Sequence, residues 1–86
     1  MQAIIAEVNH LRGMYAAKII GDEGTFVILE LLESEPLQKG DRVEHVDFYS
    51  MGSETYYNIT NDQDIDVFVQ NICGISLIRS QCFLTD

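Results

Sequence analysis

The run from Thr25 to Leu32, TFVILELL, carries apolar side chains on both faces of an extended backbone and breaks that pattern only at Glu30. A strand of this kind needs cover on each side, as in the middle of a covered sheet or the wall of a curled barrel. Read as a helix, Leu29, Leu32 and Glu33 would share a face, but the β-branched and aromatic start favours the pleated backbone.

The rest of the chain divides into short runs that suit strands better than helices. Residues 2 to 9 place Ile4, Ala6 and Val8 on one face and Ile5, Glu7 and Asn9 on the other, a first strand. A connection through His10, Leu11, Arg12 and Gly13 leads to a second, Met14 to Ile20. Gly21-Asp22-Glu23-Gly24 then suits a tight reversal, with glycines where positive φ is needed and acids facing water. After Thr25–Leu32, the chain's one proline, Pro36, and Gly40-Asp41 take it out of the sheet. A fourth strand is expected from Arg42 to Tyr49 in one of two registers, with either Val46 and Phe48 or Val43, His45 and Tyr49 turned inward. Thr55 to Thr60 predicts a fifth strand, and Asp64 to Asn71 a sixth with Ile65, Val67 and Val69 on one face. From Gly74 to Asp86 two patterns compete: Ile75, Ile78 and Cys82 fit a helix stripe behind a Ser76 cap, while Ile75, Leu77 and Arg79 alternate. The short helix is preferred.

These signals predict a single mostly β domain over residues 1–86. Its form is a small five- to six-stranded barrel, with a short C-terminal helix or strand packed across one end. At 86 residues the core is thin, so self-association as a homodimer is expected to add stability. No internal repeat, linker or low-complexity stretch divides the chain.

Charge narrows the choice of partner. The chain has 14 acidic and 5 basic residues, a net charge of −9. Residues 22 to 66 hold twelve of the acids against only Lys39 and Arg42. Such a field repels phosphate backbones and anionic headgroups, so nucleic acid is a disfavoured partner. The opening MQAIIAEVNH has neither the basic start nor the apolar run of an export signal, and no run approaches 18 apolar residues. A cytoplasmic protein that does not engage a membrane is the expectation.

The strand order resembles the OB-fold, and Val8-Asn9-His10-Leu11-Arg12-Gly13 resembles the strand-one exit of cold-shock domains, where an asparagine, two variable residues, a basic residue and a glycine recur. The resemblance implies a barrel that binds single-stranded nucleic acid by stacking bases on exposed aromatics amid basic residues. Arg12, Tyr15 and Lys18 are the residues it would use here, and strand three adds only Phe26. The chain as a whole also resembles small bacterial proteins without assigned chemistry, which implies no site.

No motif for catalysis or for a cofactor is present. Gly21-Asp22-Glu23-Gly24 lacks the lysine of a phosphate loop, and no GxSxG or dinucleotide glycine pattern occurs. Asn58-Ile59-Thr60 is a formal glycosylation acceptor without an export signal. Cys73 and Cys82 form no CxxC, and their spacing from His10 and His45 matches no familiar zinc pattern. Asp62, Asp64 and Asp66 would line one face of a strand but fail the calcium-loop signature, with Val67 and Cys73 where glycine and glutamate are required. They fit a charged edge that resists strand pairing, and no metal or cofactor site is assigned. His10 and His45 are candidates for a general base or a pH-sensitive contact. Tyr49, Tyr56 and Tyr57, with Met51 between them, combine large area with hydroxyls and form the candidate interaction surface. A non-enzymatic protein–protein interaction module, self-associating or with another protein, is the expected role. The alternatives are the single-strand nucleic-acid binder and a small-molecule or cation-binding barrel.

Overall fold

In the computed structural model, which describes residues 1–22, 24–32 and 36–74, the chain is a closed antiparallel barrel. Its strands are β1 (Gln2–Asn9), β2 (Met14–Ile19), β3 (Thr25–Leu31), β4 (Arg42–Glu44), β5 (Gly52–Asn58) and β6 (Gln63–Gly74). They follow one another around the wall as β1-β2-β3-β6-β5-β4, with β4 returning to β1. The mostly β barrel expected from the sequence is therefore the fold. Among the described residues it has six strands, whereas an OB-fold has five in a partly open Greek-key barrel. The helix or strand expected beyond Gly74, with Cys82, lies outside the described residues.

The apolar alternation of the strands becomes two clusters. Ala3, Ile5, Tyr15, Ala17, Ile19, Val27, Leu29, Val43, Tyr56, Ile65, Val67 and Val69 fill the interior. On the opposite face of β2, β3 and β6, Ala16, Phe26, Ile28 and Cys73 form a second buried cluster flanked by Ala6 and Met14. This is why β3 is apolar on both sides: Val27 and Leu29 pack inward while Phe26 and Ile28 pack outward.

Two bulges curve the wall. In β1 the register jumps between Ile5 and Glu7, so Ile5 and Val8 both pack on the interior cluster and the simple alternation of Ile4, Ala6 and Val8 is broken. Between β3 and β6, Ile28 faces Asn71 and Leu29 faces Val69, leaving Gln70 as the extra residue. Such insertions increase local twist and help a six-strand sheet meet itself.

β4 departs most from expectation, with three residues in place of eight. Val43 points inward, as in the second of the two registers, and the ladder then stops. Val46 is 89% exposed, and Phe48 reaches the interior from a loop. Leu37 enters from the other connecting loop, where its N–H donates to the Tyr15 hydroxyl at 3.3 Å. Asp41 holds that loop by accepting the Gln38 N–H at 3.0 Å, and the Gly40 N–H and Asp41 carbonyl exchange 2.8 Å bonds with Ile5. Two loop side chains thus complete the core that a short β4 leaves unfilled.

Phe48→Ala is expected to lower unfolding free energy by about 3–5 kcal/mol, because the loop side chain is fully buried. Val46→Ala, on the same loop, is expected to change it by less than about 0.5 kcal/mol. Urea unfolding followed by circular dichroism measures both, and equal effects would contradict the plug assignment.

Candidate functional site

The β4–β5 connection, residues 45–51, crosses one end of the barrel and is fastened mainly by side chains. The His45 N–H donates to the Met1 carbonyl at 3.1 Å and the Ser50 N–H to the Asp47 carbonyl at 3.2 Å. Asp47 Oδ1 accepts the Tyr49 N–H at 2.9 Å, and the Tyr49 hydroxyl donates to Asp22 in the β2–β3 turn. Gly52, with φ of 89°, supplies the left-handed turn through which the loop enters β5. Val46, Tyr49 and Met51 are then held outward on an ordered frame, 89%, 45% and 52% exposed.

His45 and Glu54 join this loop to the barrel mouth. The Asp47 N–H donates to His45 Nδ1 at 2.9 Å, which places the proton of a neutral ring on Nε2, 2.9 Å from Glu54 Oε1. The Asp47 carbonyl lies 3.0 Å from the same Nδ1. The imidazole packs against Tyr56 and Phe48, with ring centroids 5.0 and 6.0 Å away. Ser50 Oγ donates to Glu54 Oε2 at 2.8 Å. The serine proton therefore goes to the carboxylate rather than to the imidazole, and the nucleophile-to-base bond needed for acyl transfer is not formed. These groups fasten a loop.

Tyr56 sits beneath the His45 ring, fully buried, and its hydroxyl has no hydrogen-bond partner among the described residues. Burial, then the charges of Glu54 and Asp47, push its ionisation well above the ordinary tyrosine range. Tyr15 is shifted upward by burial, partly offset by the Leu37 N–H. Tyr49 and Tyr57 are shifted upward chiefly because each hydroxyl donates to an aspartate, Asp22 and Asp62 respectively. Asp62 occupies the β5–β6 turn with φ of 56°, a left-handed conformation that aspartate tolerates better than most side chains.

The wall formed by β4, β5 and β6 is mostly acidic, with Arg42 at its β4 edge. From Val43 to Gly74 the chain carries Glu44, Asp47, Glu54, Asp62, Asp64 and Asp66 and no lysine or arginine. Asp64 lies opposite Tyr57, and Asp66 lies opposite Thr55, whose hydroxyl donates to it at 3.0 Å. Among the described residues no group of three or more histidine, cysteine or acidic side chains is arranged to hold a metal ion. Leu32, Ser53, Glu54, Thr55, Asp66 and Val67 line an open groove of about 540 Å³ on this wall. Phe68, opposite Ser53, is 39% exposed beside it.

No family model matches the chain, and no curated protein or solved structure matches it significantly.

The structure separates the residues singled out in the sequence. Tyr49 and Met51 share the exposed loop, while Tyr57 faces outward near the far end of β5. Tyr56 is interior, a correction that follows from the two-residue period of β5: its neighbour Tyr57 faces out, so Tyr56 faces in. Tyr15 is likewise a correction. It is buried in the barrel with its hydroxyl against Leu37, so it offers no face for base stacking, and the outward Lys18 and the loop residue Arg12 do not share a surface with it. The His45–Glu54 pair had no signal in the sequence because eight residues of loop and strand separate its members.

The interior hydroxyls should respond in opposite ways to deletion. Tyr56→Phe is expected to raise stability by about 1 kcal/mol by removing an unpaired buried group, and Tyr15→Phe to lower it by a similar amount by orphaning the Leu37 N–H. Chemical denaturation of both variants checks this, and a destabilised Tyr56→Phe would contradict the orphan assignment.

All four tyrosines hold their protons more tightly in the fold than when unfolded. Above about pH 10 the unfolded chain releases those protons first. Stability should therefore be unaffected by them below that pH and fall as pH rises past it. Phenolate absorbance is expected to appear together with loss of β-sheet circular dichroism; full tyrosine ionisation near pH 10 in a folded protein would contradict the assignment.

Proposed function

We propose that this protein is a non-enzymatic binding module of the cytoplasm that contacts another protein through the β4–β5 loop and the adjoining acidic wall. The carrying observation is that Val46, Tyr49 and Met51 are exposed on a loop pinned by side-chain hydrogen bonds at His45, Asp47, Ser50 and Glu54. Holding apolar side chains in water on an ordered frame lowers the entropy lost when a partner covers them. Tyrosine and methionine are among the residue types enriched at protein interfaces.

The acidic wall supports a partner of opposite charge and opposes nucleic acid, whose backbone would meet six carboxylates with Arg42 as the one basic residue on β4 to β6. It also bears on the homodimer expected from the thin core. Two copies meeting through this face would bring like charges together, so self-association would need a different face.

Quantitative affinity capture from cell extract, comparing the wild-type chain with Val46→Glu/Met51→Glu, tests the proposal. Both positions are exposed, so the double variant should fold, and at least one protein retained by the wild type should be lost by it. Identical captured sets would overturn the assignment of this surface. Light scattering across micromolar concentrations separates a self-association step from capture of a different protein.

A further inference from the structure

Ala16, Phe26 and Ile28 face away from the barrel interior, yet they are only 0%, 4% and 1% exposed, and Cys73, opposite Phe26, is 7% exposed. The half-buried Ala6 and Met14 pack against the same patch. A sheet one strand thick does not bury side chains on its outer side by itself, so a second layer has to lie over them. The six strands all belong to the wall, and the two long connections send Leu37 and Phe48 to the interior. Gly74, opposite Thr25, ends β6 one residue after Cys73, at the rim of the buried patch. That end of the barrel is already crossed by the β4–β5 connection, which the Tyr49 hydroxyl ties to Asp22 in the turn before Thr25. The chain continuing from Gly74 therefore starts beside the patch, with the barrel end taken.

We propose that residues 75–86 dock on the outer face of β2, β3 and β6 and are the layer that buries it, on the side of the barrel rather than across an end. The segment has the composition for this: Ile75, Leu77, Ile78, Cys82, Phe83 and Leu84 are apolar, and only Arg79 and Asp86 are charged. It also has the reach. Crossing from β6 over β3 to β2 takes two strand spacings, roughly 10 Å, whereas residues 75–86 span about 18 Å as a helix and about 40 Å when extended. A second copy is the rival occupant, and charge does not bar it here, because β6 carries Asp64 and Asp66 near its start and Cys73 near its end. Tethering decides between them. A segment attached at the rim of the patch competes at an effective concentration on the order of millimolar, which a separate copy does not reach in dilute solution. This packing is independent of the partner reading, but it bears on where a partner can bind. With the β2–β3–β6 face covered from within the chain, a homodimer loses that surface, and the loop carrying Val46, Tyr49 and Met51 stays open to another protein.

Methyl nuclear Overhauser spectroscopy of the full chain reads the cover directly. The Ala16 and Ile28 methyls should show contacts to methyls of Ile75, Leu77, Ile78 or Leu84. Absence of every such contact would overturn the proposal. In a mixture of labelled and unlabelled chains, contacts that arise only between copies would overturn it as well and make a second copy the occupant. Cys73 reports on the same cover by a different route. In the full chain carrying Cys82→Ser, a small aromatic disulfide reagent should modify Cys73 slowly, and adding Leu77→Asp/Ile78→Asp should speed the reaction by at least about tenfold while β-sheet circular dichroism is unchanged. Adjacent residues are chosen because on an extended backbone one of the two faces the wall in either register. Leu77→Ala/Ile78→Ala is the milder pair should the first fail to fold, with the same direction expected. An unchanged Cys73 rate in a folded variant of either pair would overturn the assignment of residues 75–86 as the cover.

Discussion

A barrel is stable only if its sheet meets itself, and in this chain that closure falls to a strand of three residues. β4 pairs with β1 at Gln2, Ala3 and Ile4 and with β5 at Tyr57 and Asn58, and it carries one interior side chain, Val43. So short a strand cannot fill its share of the core. The adjoining loops supply the missing volume, Leu37 on one side and Phe48 on the other. Their burial explains the fastening around them. The Asp41 carboxylate holds the turn that delivers Leu37, and His45, Asp47 and Glu54 hold the loop that delivers Phe48. The polar cluster at the mouth is thus first a consequence of closure, and the exposure of Val46, Tyr49 and Met51 follows from it. A loop that turns one aromatic inward on a tight frame has to turn its neighbours out.

The interior mixes small and large residues in the way a small barrel requires. Ala3 and Ala17 make room for Tyr15 and Tyr56. Filling a core with tyrosine brings hydroxyls with it, and the two are treated differently. The Tyr15 oxygen accepts the Leu37 N–H and so ties a plug to the wall, while the Tyr56 oxygen lacks a partner among the described residues beneath a histidine and two carboxylates. An orphan hydroxyl in so thin a core is a local conflict, and such conflicts gather where function overrides packing. Its place, directly under the loop proposed to meet a partner, joins the conflict to the surface.

Strands were legible in the sequence wherever the two-residue period was reinforced by a turn. β2 and β3 could be placed to within a residue because Gly13 and the Gly21–Gly24 reversal bracket them. The interior face of β6 could be read from Ile65, Val67 and Val69 against the outward Asp64 and Asp66. β4 was not legible, because residues 42–49 alternate in either register and nothing local says that the chain leaves the sheet after Glu44. What decides it is the volume at the barrel end that Phe48 fills, a property of the closed structure. The tyrosine surface failed at Tyr56 for a related reason: aromatic type alone does not tell a core filler from an anchor, whereas its place on β5 does. The His45–Glu54 contact depends on a loop conformation and had no signal in spacing.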